Sequence, residues 1–149
     1  MTSKSIIFLV LLIFGQSFGL SMSKEENLPA DEFARRRAIF IAELRNLNAC
    51  AILHSAPVYD RNLAVEFPYR QDSDFLYLTG WVQNQSILVI TPKMDSANQA
   101  EVSFFVPSRE PKREIWTGPK KGLSEARILP GVDQGIEYDE FYEHLGSLI

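Results

Sequence analysis

Apolar and polar positions change rhythm along the chain. An unbroken apolar run lies near the start, a helical period covers residues 31–48, and short apolar runs separated by turn-forming residues follow. In the second stretch Phe33, Phe40, Leu44 and Leu47 recur at close to helical spacing behind Asp31, which suits an N-cap. A helix is expected there, ending near Asn46 to Asn48. Residues 49–54 (ACAILH) read as a short buried strand, and residues 56–61 as a connection containing Pro57.

Residues 69–80, YRQDSDFLYLTG, have a polar front suited to a turn and an alternating back half, Phe75, Tyr77 and Thr79, suited to a strand. Residues 86–91 and 101–106 read as two more strands around a hairpin-like loop at 92–99, so a central meander is expected. Residues 107–122 are rich in Pro, Gly and charge and read as a surface loop, with Ile115 and Trp116 dipping into the core. Ser124 is placed to cap a short helix that stops before Pro130 and Gly131. Residues 134–138 read as a last strand, and Asp139 as the cap of a closing helix carrying Phe141, Leu145 and Leu148. Helices at both ends of a strand-rich middle indicate a mixed α/β sheet.

Residues 1–21 have the layout of a secretory signal peptide: Lys4, nine apolar residues from Ile6 to Phe14, then small and polar residues. Ser17 with Gly19, or Gly19 with Ser21, would suit a cleavage site. Nine apolar residues fall short of the roughly 20 that span a bilayer, so no membrane span is expected after leader removal. The alternative is a mitochondrial presequence, since residues 1–24 contain no Asp or Glu. Residues 22–30 read as a mobile linker, and residues 31–149 as one domain. In a eukaryotic secretory pathway, Asn84-Gln85-Ser86 would be an N-glycosylation sequon, with an unmodified loop asparagine as the competing reading.

Composition removes several function classes. The balance of 19 acidic against 15 basic residues leaves no broad basic face, so nucleic acid is not an expected partner. The run Arg35, Arg36 and Arg37 falls on the first helix and reads as a solvated face. Cys50, the only cysteine, reads as a buried structural thiol, and His54, four residues on, lies about 13 Å away on a strand of ~3.3 Å rise, too far for proton transfer. The second histidine, His144, reads as a surface residue, with no H-E-x-x-H pattern around it. Asp72-Ser73-Asp74 could bridge a metal, but these are also residues that a turn favours. No nucleophile elbow or phosphate-cradling glycine loop is present. The residues by themselves offer no active site.

Residues 69–80 resemble the N-terminal-domain signature of aminopeptidase P, the Xaa-Pro aminopeptidases. Other matching stretches keep the expected order: EFARRR from Glu32 to Arg37, SILVI from Ser86 to Ile90, Arg109 with Glu114-Ile115-Trp116, and Gly131-Val132-Asp133. The resemblance implies the creatinase and prolidase N-terminal fold, of ribonuclease H-like type, with a mixed central sheet flanked by helices. It also implies a second, pita-bread domain whose two Asp, one His and two Glu hold two metal ions, usually manganese, that activate water to release a residue preceding proline. None of those five ligands maps onto this sequence, so a truncated form, inactive alone and without a cofactor of its own, is expected. A stand-alone secreted protein that binds full-length relatives or peptides is the alternative. Its apolar last residues, Leu145, Leu148 and Ile149, suggest a helix cut short of a partner domain.

The resemblance further implies a domain that, in full-length relatives, helps build an oligomer and narrows access to the active site. The expected partners are therefore the missing catalytic domain, full-length relatives or a second copy. Tyr69, Arg70, Gln71, Asp74, Phe75, Tyr77 and Trp81 are the candidate residues for that work. The competing reading makes Phe75, Tyr77 and Trp81 core or turn residues, with Arg70 and Asp74 pairing locally.

Overall fold

The computed structural model describes residues 28–62, 65–93 and 99–148. The expected leader and nearly all of the expected linker lie outside them, as does the side chain of Leu148. In chain order the elements are α1 (Ala30–Asn46), β1 (Ala51–His54), β2 (Asp60–Asn62), β3 (Val65–Glu66), α2 (Ser73–Thr79), β4 (Ile87–Pro92), β5 (Ala100–Val106), α3 (Pro111–Thr117), α4 (Leu123–Arg127), β6 (Gln134–Glu137) and α5 (Phe141–Leu148).

Four strands form a mixed sheet in the order β1-β4-β5-β6, while β2 and β3 pair as a separate hairpin. β1 runs antiparallel to β4 with Ile52 opposite Val89, and β4 antiparallel to β5 with Leu88 opposite Phe104. β6 is parallel to β5. A parallel neighbour needs a crossover of a dozen or more residues, here the stretch that carries α3 and α4. β4 is apolar on both faces because both are covered. Leu88, Ile90, Val102, Phe104 and Val106 face α1 and α2 with Leu44, Phe75, Leu78 and Trp81. Ile87, Val89 and Phe105 face Phe141 of α5, with Ile136, Tyr138 and Leu145 packed alongside.

The α/β class and the mixed sheet agree with the sequence, but several local expectations are corrected. Residues 73–79 are a helix and not a strand. Asp72 Oδ1 accepts hydrogen bonds from the backbone N–H of Asp74 and Phe75, 3.0 Å each, and Gly80 closes the helix at φ 64°. Phe75, Leu78 and Thr79 are the buried positions, an i, i+3, i+4 set, so the period is helical and the apparent alternation is incidental. The antiparallel trio is therefore β1, β4 and β5, and the strand expected from residues 75–79 is absent from the sheet.

Ile115 and Trp116 do not enter the core. They lie on α3, a helix with no buried residue, at 78% and 88% exposure. Pro111 in the first turn and the run of charged residues around it start a helix where a loop was expected. Cys50 is exposed because β1 begins one residue after it. Arg37 is buried, its guanidinium donating to the backbone oxygens of Leu78, at 2.6 Å, and Pro130. Burial lowers its pKa, yet it stays the tie between α1, the end of α2 and the loop after α4.

Three expected caps also differ. Asp31 sits inside the first turn of α1, where its charge suits the helix dipole, and Pro29 holds the cap position. Gly122 caps α4, its N–H donating to Glu125 at 2.9 Å, and Ser124 lies within the helix. Asp139 belongs to a 3-10 turn, Tyr138–Glu140, that leads into α5.

Candidate functional site

The segment singled out in the sequence is a structural knot beside a cleft. Gln71, 6% exposed, uses its whole amide. Its Oε1 accepts from the N–H of Ala56 at 2.7 Å and of Asp72 at 2.9 Å, while Nε2 donates to the carbonyls of Trp81 and Gln83, both at 3.0 Å. Tyr69 donates its hydroxyl to the Ala56 carbonyl at 3.1 Å, and burial pushes its phenol above the usual pKa. These contacts tie the chain after β1 to the start of α2 and to the loop before β4.

Phe75 and Trp81 pack against Phe104 in the core, Phe75 stacked at 5.9 Å and Trp81 edge-on at 5.2 Å. Thr79 links them, donating to the Phe75 carbonyl at 2.6 Å and accepting from the Trp81 N–H at 3.0 Å. Tyr77 faces outward, 55% exposed, beneath the Arg36 guanidinium, whose carbon lies 4.3 Å from the ring centroid. Arg36 also bonds Glu32 at 2.9 Å. The arginine run is thus three environments: Arg35 exposed with Glu32, Arg36 stacked on rings, and Arg37 buried. Arg70 and Asp74 are exposed and form no ion pair with each other among the described residues.

A cleft of about 740 Å³ opens beside this knot. It lies at the carboxyl ends of β1, β5 and β6, marked by His54 and Ser55, Pro107 and Ser108, and Tyr138 respectively. Its lining includes the loop of Gln83, Asn84 and Gln85 and, from α3, Arg113, Glu114 and Thr117. Glu66, Tyr69 and Lys120 also line it. Asn84, the sequon asparagine, is half-buried. Its carbonyl accepts from the hydroxyl of Ser86 at 3.3 Å, and Ser86 is itself buried.

α3 is anchored at its base. Arg109 makes a two-pronged pair with Glu114, 2.9 and 2.6 Å, which holds the Glu114 carboxyl below its ordinary pKa. The Arg109 stem lies against Gly122, where an added Cβ would come within 2.6 Å of it. Of the sequence candidates, Tyr69 and Asn84 meet at the cleft, whereas Phe75 and Trp81 are core and Arg70, Asp74 and Tyr77 are surface. Sequence reading missed Glu66, Lys120 and the outward face of α3. An Ile-Trp pair set among Lys, Arg, Glu, Pro and Gly was the available signal, because such neighbours rarely surround a core dipeptide.

Among the described residues no three His, Cys, Asp or Glu side chains gather as a metal site would require, and no helix is long and apolar enough to cross a membrane. Residues 33–149 match the family model described as "Aminopeptidase P, N-terminal domain". The chain is 33% identical over 118 residues to the Xaa-Pro aminopeptidase of Escherichia coli, covering 79% of this chain and 26% of that protein. It is 31% identical to "Intermediate cleaving peptidase 55, mitochondrial" of Arabidopsis thaliana, covering 80% and 23%. Zinc-substituted E. coli aminopeptidase P, solved in complex with product, superposes with a TM-score of 0.73 at 30% identity, over 82% of this chain and 27% of that one. The chain thus spans about a quarter of the length of these relatives.

Proposed function

Because the chain belongs to the aminopeptidase P N-terminal domain family, which residues 33–149 match, we propose that it is the non-catalytic N-terminal part of a Xaa-Pro metallo-aminopeptidase. The observation that carries this reading is the extent of the match: most of this chain against about a quarter of each relative. The family reaction releases an N-terminal residue preceding proline, and the two metal ions that drive it, manganese, would be held by residues outside these 149. This domain's part is to shape access to that centre and to build the assembly around it.

The surface suited to that role is α3 rather than the knot at residues 69–81, where Tyr69, Gln71, Asp72 and Thr79 spend their polar groups on the fold. Exposed Ile115 and Trp116 on an anchored helix offer apolar area that a neighbouring domain or second copy would cover. The same exposure favours the second reading, a stand-alone protein that binds full-length relatives. For localisation, the leader supports export, while the name of the Arabidopsis relative supports the mitochondrion. Fractionation of cells expressing the tagged chain separates these, and a mass shift removed by glycosidase would establish a glycan on Asn84.

The first test is hydrolysis of a short Xaa-Pro peptide by the purified chain, with and without manganese. No turnover by folded protein is expected. Manganese-dependent turnover that persists after contaminating peptidases are removed would overturn the non-catalytic reading. Co-elution with a full-length relative, lost in Trp116→Ala, would support the binding role.

A further inference from the structure

We propose that the cleft at the carboxyl ends of β1, β5 and β6 binds a short extended peptide. The proposal rests on the reading that this is the N-terminal domain of a peptidase, and it gives the domain a ligand of its own. In open α/β sheets, ligands settle where strands present their carboxyl ends. Here β5 and β6 are parallel, and β1, two antiparallel steps from β5, points the same way. The cleft's volume, about 740 Å³, falls within the ~300–1,000 Å³ of small-ligand sites.

The lining selects the chemistry. Most of its charges are already neutralised: Glu110 pairs with Arg113 at 3.2 Å, and Glu114 with Arg109 at 2.6 Å. Glu66 and Lys120, of opposite sign, form no ion pair among the described residues. A single unpaired carboxylate is a poor metal site, and one ammonium beside carboxylates is a poor phosphate site. A cleft lined by charges of both signs suits a zwitterionic chain.

Asn84 and Gln85 line the same cleft, and their side-chain amides make no hydrogen bond among the described residues, whereas neighbouring Gln83 accepts from the Lys121 N–H at 3.1 Å. Each amide offers a donor and an acceptor, the same pair that a peptide backbone presents. Gln85 sits at φ 53°, a left-handed conformation that costs free energy in a non-glycine residue and that gathers at ligand clamps. The loop is held on both sides of Gln85: Gln71 donates to the Gln83 carbonyl at 3.0 Å, and the Ser86 N–H donates to Ser55 Oγ at 2.9 Å. A prebuilt loop of this kind reduces the ordering cost of binding.

The test is amide NMR titration of the full chain, expressed in bacteria to exclude a glycan, with the peptide Ala-Pro-Ala-Ala-Ala. Saturable shifts centred on Glu66, Asn84, Gln85 and Lys120 are expected. Asn84→Ala and Lys120→Ala, each with a parental melting curve, should weaken binding about fivefold or more, and Ile128→Ala, exposed and outside the cleft lining, should leave it unchanged. Absence of saturable shifts at millimolar peptide, shifts centred elsewhere, or parental affinity in both cleft variants would each overturn the proposal. Binding is read without hydrolysis, so this result and the catalytic test can fail independently.

Discussion

Gln71 and Gly80 each satisfy a demand that no other residue type would meet at their positions. Gln71 spends two acceptor and two donor contacts on three backbone segments. Gln71→Ala would leave two carbonyls and two N–H groups unpaired, at about 1–3 kcal/mol for each group that water does not reach. A loss of roughly 2–4 kcal/mol is expected, read as a lower urea midpoint at constant slope. Gly80 combines a φ of 64° with a Phe33 ring carbon 2.6 Å from where a Cβ would stand. Gly80→Ala should therefore destabilise by about 1–3 kcal/mol, and Gly80→Ala with Phe33→Ala should recover only the steric part. Retention of full stability in the single variant would show that the α1–α2 contact yields freely.

The helices differ in what holds them. α2 is fixed by a core residue, Phe75, at 0% exposure, so Phe75→Ala should cost about 3–5 kcal/mol. In α3 no residue is buried, and Ile115→Ala or Trp116→Ala should change stability by less than about 0.5 kcal/mol while lowering self-association or partner binding. Equal losses at Phe75 and Trp116 in thermal unfolding would contradict this division. Two helix starts depend on ionised carboxylates. Glu32 is held at about 2 by hydrogen bonds from Arg35 and then Arg36, and Glu125 at about 2 by Ser124 and the Gly122 N–H, both from an ordinary 4.5. Lowered folded-state values mean stability that is present above pH 4.5 and lost as pH falls towards 2. Urea midpoints should decline across that window, and Glu32→Gln with Glu125→Gln should flatten the decline.

For the whole molecule, the sheet places one end of three strands beside an anchored helix, and a polar cleft results between them. Local pattern revealed most of the elements: the period of α1, the apolar runs of β4 and β5, and the final strand and helix were all legible. The resemblance of residues 69–80 and their flanking stretches identified the family, which the match over residues 33–149 bears out. Alternation at Phe75, Tyr77 and Thr79 was misleading because seven residues fit either period, and the Asp72 cap and Gly80 stop decide between them only once Phe75 and Leu78 meet the sheet. Composition and patterning, then, determined by themselves that this chain forms a mixed α/β domain with apolar runs in its central strands, because burial of apolar runs is dictated by residue type. Tertiary structure alone decided that Ile115 and Trp116 face outward, that Arg37 is buried, and that Tyr69, Asn84, Glu66 and Lys120 share one cleft. Those outcomes depend on which distant segments meet, and no local spacing encodes that.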